Sequence, residues 1–238
     1  MERRAPHHRR GHLLRGPMGV GHAQGARFGE AWDALTALVS VEGSAGERFV
    51  VGLSAPGAAM RDLSDVVHGW CMVHARHPGV LELAQERATD PLVEAWLAEA
   101  VAGFAAERAA LVRLVAAAGP LPSTTGQAES DVAIAGQRHA LDMLAGSDRA
   151  GVAIGAAMGL VLDWPAIRGV LDAAARRLGL EPAETALPVA RDSATVVAAL
   201  AETPAYERAM LFGAGQTLAQ HRALWALLEA RAEARRAH

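Results

Sequence analysis

Apolar residues recur every three or four positions along most of the chain, which is the spacing that places them on one face of an α-helix. The stripes over residues 93–115 and 210–228 are the longest, and shorter stripes occupy the other segments. Residues 49–53 are short and β-branched enough to suggest a strand, but no second strand is available to pair with them. The pattern therefore predicts an all-α protein in which residues 49–53 form an extended connector or the start of a helix.

Prolines, glycines and capping residues divide this pattern into about nine helices. The Asp-Pro pair at 90–91 and the Thr-Pro pair at 203–204 each combine an N-cap side chain with a proline at the first helical position. The Gly-Pro pair at 119–120 is a stop signal, so we expect helices over about residues 91–118 and 204–235. Because the spacings do not repeat, the chain is predicted to be a single multi-helix bundle rather than a solenoid.

Residues 123–164 contain the densest set of helix signals. Thr124 and Gln127 have the spacing of a capping box, and Ser147 follows a glycine as the expected cap of the next helix. The Asp-Trp-Pro sequence at 163–165 is expected to end that helix and start another, because proline lacks the N–H that a helix interior uses. We therefore predict two consecutive helices here, around which the other helices pack.

Three glycines in this stretch are spaced four apart and share one helical face: Gly151, Gly155 and Gly159. A face without side chains allows another helix to approach closely, and each glycine costs about 1 kcal/mol relative to alanine. The spacing resembles a membrane dimerisation motif, although the flanking helix is too short to span a bilayer. It also resembles the glycine-bearing helix of haem-oxygenase-like bundles, where the backbone approaches a flat cofactor. These glycines are therefore candidates for helix packing or for binding a flat cofactor such as haem.

The composition removes several kinds of chemistry. All 23 basic residues are arginine, which excludes a lysine Schiff base and a Walker-type phosphate loop. Cys71 is the single cysteine, which excludes an internal disulfide and a multi-cysteine metal site. No Gly-x-Ser-x-Gly nucleophile motif is present, and no glycine-rich dinucleotide motif follows a strand.

The net charge of −3 is unevenly distributed. Residues 1–27 contain six arginines and one glutamate, so this segment carries +5 and the remainder carries −8. We interpret residues 1–25 as a disordered basic tail, part of which precedes the true start if translation begins at Met18, and residues 26–238 as one helical domain. A basic tail can contact nucleic acid or anionic lipid, but its composition without periodicity favours simple disorder, and we expect no nucleic-acid partner. Since no secretory signal and no run of about 18 apolar residues is visible, we expect a cytoplasmic protein without a membrane span.

Several polar residues fall on or beside the apolar stripes of their helices. His74 lies about 40° from Trp70 around its helix, and His221 lies within the stripe of the last helix. Imidazoles and carboxylates together suit non-haem iron, manganese or zinc, with positions left for oxygen or substrate. The candidate metal ligands are His74, Glu107, His139, Asp142 and His221.

The alternative interpretation of these residues is structural. Glu107 would then pair with an arginine, and each histidine would bond a carbonyl or hydroxyl group, because buried charge is unfavourable unless it is paired. Ferritin-type di-iron bundles carry Glu-x-x-His on two helices, and no such pair occurs in a core-facing stretch of this chain. That difference favours the structural interpretation.

Three segments resemble an uncharacterised helical family from alphaproteobacterial genomes: HARHPGVLELA from His74, GPLPSTTGQAESD from Gly119 and QRHALDMLAGSDRAG from Gln137. The resemblance spans about residues 60–178. It implies an all-α domain and assigns no catalytic residue. The similarity to ferritin-like and haem-oxygenase-like bundles is architectural, and a fold does not determine a function.

Two functional hypotheses follow from the sequence. The first is a soluble, non-catalytic helical-bundle protein that acts through binding or self-association as a homo-oligomer, with exposed apolar faces or the glycine face as the interface. The second is a metal- or haem-dependent oxidoreductase that uses the histidines and carboxylates named above. The two hypotheses differ in what they require of the fold, because the metal site needs nitrogens of His74 and His221 and an oxygen of Glu107 within about 2.0–2.2 Å of one point.

Overall fold

The computed structural model describes residues 20–121, 123–201 and 203–237, with side chains from residue 29 onward. Within these residues there are nine α-helices and no β-strand, which confirms the predicted all-α class. The helices are Val20–Glu42 (α1), Arg48–Leu53 (α2), Met60–His74 (α3), Val80–Gln85 (α4), Pro91–Ala118 (α5), Gln127–Ala145 (α6), Val152–Arg177 (α7), Ala190–Leu200 (α8) and Pro204–Arg236 (α9). A 3-10 turn, Ser44–Gly46, lies between α1 and α2.

Helix α7 lies at the centre of the bundle. Most of its side chains are buried, and it packs lengthwise against α9 while α3, α4, α5 and α6 also contact it. By length and composition alone α7 could cross a bilayer, but 78 % of its most apolar 18-residue window is buried inside the bundle. Its apolar character is therefore that of a core helix.

Glycines allow α7 and α9 to approach each other closely. A Cβ atom built on Gly155 would overlap the backbone of Met210, and one built on Gly159 would lie 3.0 Å from the Cα of Ala214. The overlap at Gly155 cannot be accommodated without a shift of the facing backbone, whereas the contact at Gly159 is tight. The close approach of the two helices therefore requires glycine at 155 and favours it at 159, which offsets the low helix propensity of glycine.

Two predicted helix starts are confirmed. The Asp90 carboxylate accepts hydrogen bonds from the backbone N–H groups of Leu92 and Val93, at 2.8 and 3.2 Å, before the first turn of α5. The Thr203 hydroxyl accepts one from the N–H of Tyr206, at 3.2 Å, before the first turn of α9. Each cap satisfies N–H groups that have no partner inside the helix.

The predicted break at residues 163–165 is wrong, because α7 continues through Pro165. A proline inside a helix costs about 3 kcal/mol, so tertiary contacts must outweigh this cost. Asp163 and Trp164 supply such contacts: both are buried, Asp163 accepts two hydrogen bonds from Ser44, and Trp164 lies in the aromatic core. The packing of the two preceding residues, Asp163 and Trp164, therefore keeps Pro165 within a continuous helix.

The predicted capping box is also wrong. Helix α6 begins at Gln127 after Gly126, and no side chain caps it. The Thr124 hydroxyl instead accepts a hydrogen bond of 2.9 Å from the guanidinium of Arg235 at the end of α9. Thr124, which the local spacing predicted to be a helix cap, therefore binds Arg235, a residue distant in sequence.

Two further segments differ from the sequence-based expectation in detail. Ser147 accepts a hydrogen bond of 3.2 Å from the N–H of Arg149 in the loop, and α7 begins after Gly151, whose φ is +94°. The segment considered for a strand or connector lies within the short helix α2. Of the predicted basic tail, residues 1–19 lie outside the described residues, while α1 already begins at Val20.

Candidate functional site

Four buried side chains form a continuous hydrogen-bonded chain in the core. The Ser44 hydroxyl donates to Oδ2 of Asp163 at 2.7 Å, and the Ser44 backbone N–H donates to Oδ1 at 2.6 Å. The same Oδ2 lies 2.7 Å from Nδ1 of His221, and Nε2 of His221 lies 3.2 Å from Nε2 of His74. This buried network, defined as Ser44, Asp163, His221 and His74, joins the 3-10 turn to α7, α9 and α3.

The network is shielded from solvent. Its four residues are between 0 and 4 % exposed. Trp225 extends the network beyond Ser44, because its indole N–H donates to the Ser44 hydroxyl at 2.8 Å. A buried carboxylate is tolerated only when its oxygens are bonded, and the network meets this condition.

Hydrogen bonding determines the ionisation of Asp163. Burial alone would raise the pKa of this carboxyl group. Hydrogen bonding and electrostatic attraction from His221, together with both hydrogen bonds from Ser44, nevertheless bring the pKa below its usual value. Asp163 is therefore an ionised carboxylate at neutral pH, and the Nδ1–H of His221 donates to it.

Burial has the opposite effect on the imidazole of His74. Burial lowers the pKa of His74 well below the usual value. Electrostatic repulsion from His221, and then from Arg108, lowers this pKa further. His74 is therefore neutral at pH 7. The Nε2 atoms of the two histidines lie 3.2 Å apart. At most one of these atoms carries a hydrogen, because two N–H groups would repel each other at this distance.

Aromatic rings enclose His74. Trp70 stacks on it with ring centroids 5.6 Å apart, while Trp164 and Phe104 approach it edge-on at 5.7 and 6.1 Å. The indole N–H groups of Trp70 and Trp164 are buried and have no hydrogen-bond partner within the described part of the chain. An unpaired buried donor is unfavourable, so these two groups require an explanation.

The structure brings together two of the five predicted metal ligands, His74 and His221. The carboxylate of Glu107 is paired with Arg168, 2.5 Å away, and both side chains are buried. Asp142 pairs with Arg76 near the surface, and His139 is exposed on the same helix. Among the described residues, no group of three or more histidine, cysteine, aspartate or glutamate side chains is arranged to hold a metal ion.

The glycines considered for a flat cofactor face the chain itself. Gly155 and Gly159 contact the backbone of α9, and a Cβ on Gly151 would lie 2.8 Å from the carbonyl oxygen of Tyr206. Helix α9 therefore occupies this face along its length. Of the interpretations open from the sequence, close helix packing accounts for the three glycines.

Sequence reasoning did not identify Ser44 and Asp163 as part of the site. Asp163 is an acidic residue at the end of the apolar run 153–162. This position indicates a buried partner, because a charge beside such a run is unfavourable unless it is paired. Pro165, two positions further on, instead predicts a helix break. Ser44 offered no signal, since a serine after a helix is common and its partner lies 119 positions away.

The surface carries a separate cleft of about 520 Å³. It lies where α4 ends and α5, α7 and α9 begin, and its walls include Arg87, Asp90, Arg149 and Tyr206. Burial, with a contribution from the Asp90 carboxylate, raises the pKa of Tyr206, so its hydroxyl remains protonated. Within the described residues, neither this hydroxyl nor the guanidinium of Arg149 makes a hydrogen bond.

A second depression of about 330 Å³ lies between α6 and α9. Two large apolar side chains on its walls are exposed, Met143 by 63 % and Phe212 by 49 %. Gln216 and Gln220 also line this α6–α9 groove, and Arg149 is its one charged lining residue. An exposed apolar patch with a polar rim is typical of a protein-interaction surface.

Comparison with known proteins places the chain in a family without an assigned activity. A family model described as a family of unknown function, DUF6975, matches residues 39–236. No curated protein and no solved structure matches the chain.

Proposed function

The chain belongs to DUF6975, a family of unknown function, and we propose that it is a binding protein whose ligand occupies the cleft at the start of α5, α7 and α9. The observation that carries this proposal is the cleft itself, with the unengaged hydroxyl of Tyr206 and the unengaged guanidinium of Arg149 on its walls. The sequence-based expectation of a cytoplasmic location without a nucleic-acid partner is part of the proposal.

The size and position of the cleft support this proposal. Small-molecule sites usually enclose about 300–1,000 Å³ and contain a few polar groups that orient the ligand. At about 520 Å³ the cleft falls within that range. The buried network lines none of the four depressions described for this molecule, so the cleft is the better candidate for a reversibly bound ligand.

The charges around the cleft favour a ligand that carries both signs. Arg87 pairs with Asp148 across the cleft, which leaves Arg149 as the cation without an ion-pair partner among the described residues. Asp90 lies near the Tyr206 hydroxyl and contributes a carboxylate. A carboxylate on the ligand would bind Arg149 and accept from Tyr206, and an ammonium group would approach Asp90. Free amino acids and dipeptides have this chemistry.

Calorimetry with a panel of free amino acids and dipeptides tests the proposal. We expect at least one member of the panel to bind, and Arg149→Ala to weaken binding about 10- to 100-fold, because a hydrogen bond to a charged group contributes about 1.5–3 kcal/mol. Tyr206→Phe should weaken binding less. Arg113→Ala is the control, since Arg113 is an exposed arginine of α5 outside the cleft. Binding that is absent across the panel, or equally weakened by the control, would contradict the proposal.

Self-association through the α6–α9 groove is the second candidate function. Met143 and Phe212 are exposed on the walls of one groove rather than scattered, and the groove is almost uncharged on a chain whose body is acidic. Two copies could approach there without the electrostatic repulsion expected elsewhere.

Light scattering coupled to size-exclusion chromatography tests this second candidate. We expect a dimer at micromolar concentration that Phe212→Glu converts to a monomer, because a carboxylate placed in an apolar interface is strongly unfavourable. Val112→Glu is the matched control, since Val112 is 55 % exposed on α5 away from the groove. A monomeric wild-type protein would rule out self-association.

A further inference from the structure

The two core histidines face each other through their Nε2 atoms, 3.2 Å apart. A neutral imidazole carries a hydrogen on one ring nitrogen and a lone pair on the other. Because Nδ1 of His221 donates to Asp163, its Nε2 presents a lone pair towards His74 when the ring is neutral. If His74 carries its hydrogen on Nε2, that N–H donates to this lone pair; if it carries the hydrogen on Nδ1, two lone pairs face each other and a metal ion can bind both.

We propose that His74 and His221 bind one divalent metal ion of the type that imidazole prefers, represented by Zn²⁺. In tetrahedral zinc sites the Zn–N bonds are about 2.0–2.1 Å, so two imidazole nitrogens on one ion are about 3.3 Å apart. The observed Nε2–Nε2 separation of 3.2 Å is close to this value. This site has fewer protein ligands than the one expected from the sequence, because Glu107 and Asp142 form ion pairs with arginines.

The groups behind the two ligands support the proposal. A metal-bound histidine usually donates its other ring N–H to a carboxylate, which fixes the ring orientation and increases its basicity. Asp163 plays this part for His221, and it is itself held by two hydrogen bonds from Ser44.

The unpaired indoles supply an independent observation. Two histidine ligands leave about two positions of a four-coordinate ion for other donors, such as water or a small oxygen ligand. Trp70 and Trp164 both pack against His74, and the N–H groups of both are buried without a partner in the described residues. An oxygen ligand on the metal would accept from such donors.

Metal loading of the full-length, tag-free chain tests the inference. The protein is dialysed against Zn²⁺ and then against a weak chelator, and bound zinc is measured by mass spectrometry. We expect about one more equivalent in the wild-type protein than in the double variant His74→Ala/His221→Ala. His139→Ala is the control and should retain the wild-type zinc content, because His139 is exposed on α6.

X-ray absorption of the loaded wild-type protein keeps the test valid if the double variant does not fold. The expected spectrum shows two imidazole nitrogens at about 2.0–2.1 Å with oxygen in the remaining positions. Three outcomes would overturn the inference. They are wild-type protein that retains no zinc, so that the histidines share only a proton; equal zinc in wild type and a folded double variant; and a zinc environment without two imidazoles.

Discussion

Asp163 shows how a single charged residue is accommodated in the core of this bundle. The residue is 2 % exposed, and its carboxylate accepts hydrogen bonds from Ser44 and His221, which come from different parts of the fold. Removal of one partner from a buried, bonded set leaves the others without acceptors. The residue therefore has an effect on stability that its exposed counterparts lack.

Asp163→Ala should lower the free energy of unfolding by about 3–5 kcal/mol, because it leaves the donors of Ser44 and His221 unpaired in the core. Asp148→Ala is the matched comparison, since Asp148 forms an exposed ion pair with Arg87. That change should cost about 0–1 kcal/mol. Urea denaturation of both variants measures the difference, and similar losses would show that the buried network does not stabilise the fold.

At the scale of helices, the pair α7 and α9 depends on where glycine is placed. Gly155 faces the Met210 backbone, whereas Gly169 on the same helix is exposed with no atom within 4 Å of the position its Cβ would occupy. The two positions share a helix and a residue type but differ in their surroundings. They therefore separate the effect of packing from that of helix propensity.

Gly155→Ala should destabilise the protein by about 1–3 kcal/mol, because the new Cβ forces α7 and α9 apart. Gly169→Ala should stabilise it by up to about 1 kcal/mol, because alanine is the better helix former and nothing obstructs it. Thermal or urea unfolding of the two variants checks the opposite signs. A stabilising Gly155→Ala would mean that the two helices are not in close contact.

Helix α4 offers a prediction about pH. Burial would raise the pKa of Glu82, but the hydrogen bond from the Gly79 N–H and the pairing with Arg108 bring the pKa below its usual value. The unfolded chain therefore takes up this proton at a higher pH than the folded protein does. The stabilisation from Glu82 is present above the ordinary glutamate pKa of 4.5 and is lost as the pH falls through the lowered folded value.

Glu82→Gln should accordingly make the stability less dependent on pH between about pH 5 and 3. The comparison is Glu99→Gln, which changes an exposed glutamate of α5. Stability measured by urea denaturation at several pH values gives both slopes. If the two variants have the same slope as the wild type, Glu82 does not contribute in this way.

For the whole molecule, sequence patterns predicted what depends on local interactions. The caps at Asp90 and Thr203 are short-range signals, and both operate in the structure. The continuation of α7 through Pro165 depends on packing between distant segments, and spacing along the chain does not encode it. The same reason explains why His74 and His221 were identified from their helix faces while Ser44 was not.

The shape of the bundle follows from this division. Local sequence signals such as helix caps define most of the helices, and a few long-range polar contacts determine how these helices are arranged. The ion pairs of Asp65 with Arg231 and Arg235 join the first half of α3 to the end of α9. The buried network joins the end of α3 to the middle of α7 and of α9. Both kinds of contact are buried, so each favours one helix arrangement over its alternatives.

Nitrogen NMR of the histidine side chains in metal-free protein tests the central claim most directly, namely that His221 lies in the core between Asp163 and His74. We predict that His221 carries its proton on Nδ1 and that this proton exchanges with solvent far more slowly than the imidazole protons of exposed His139. An imidazole of His221 that exchanges as fast as that of His139, or that carries its proton on Nε2 alone, would contradict the account.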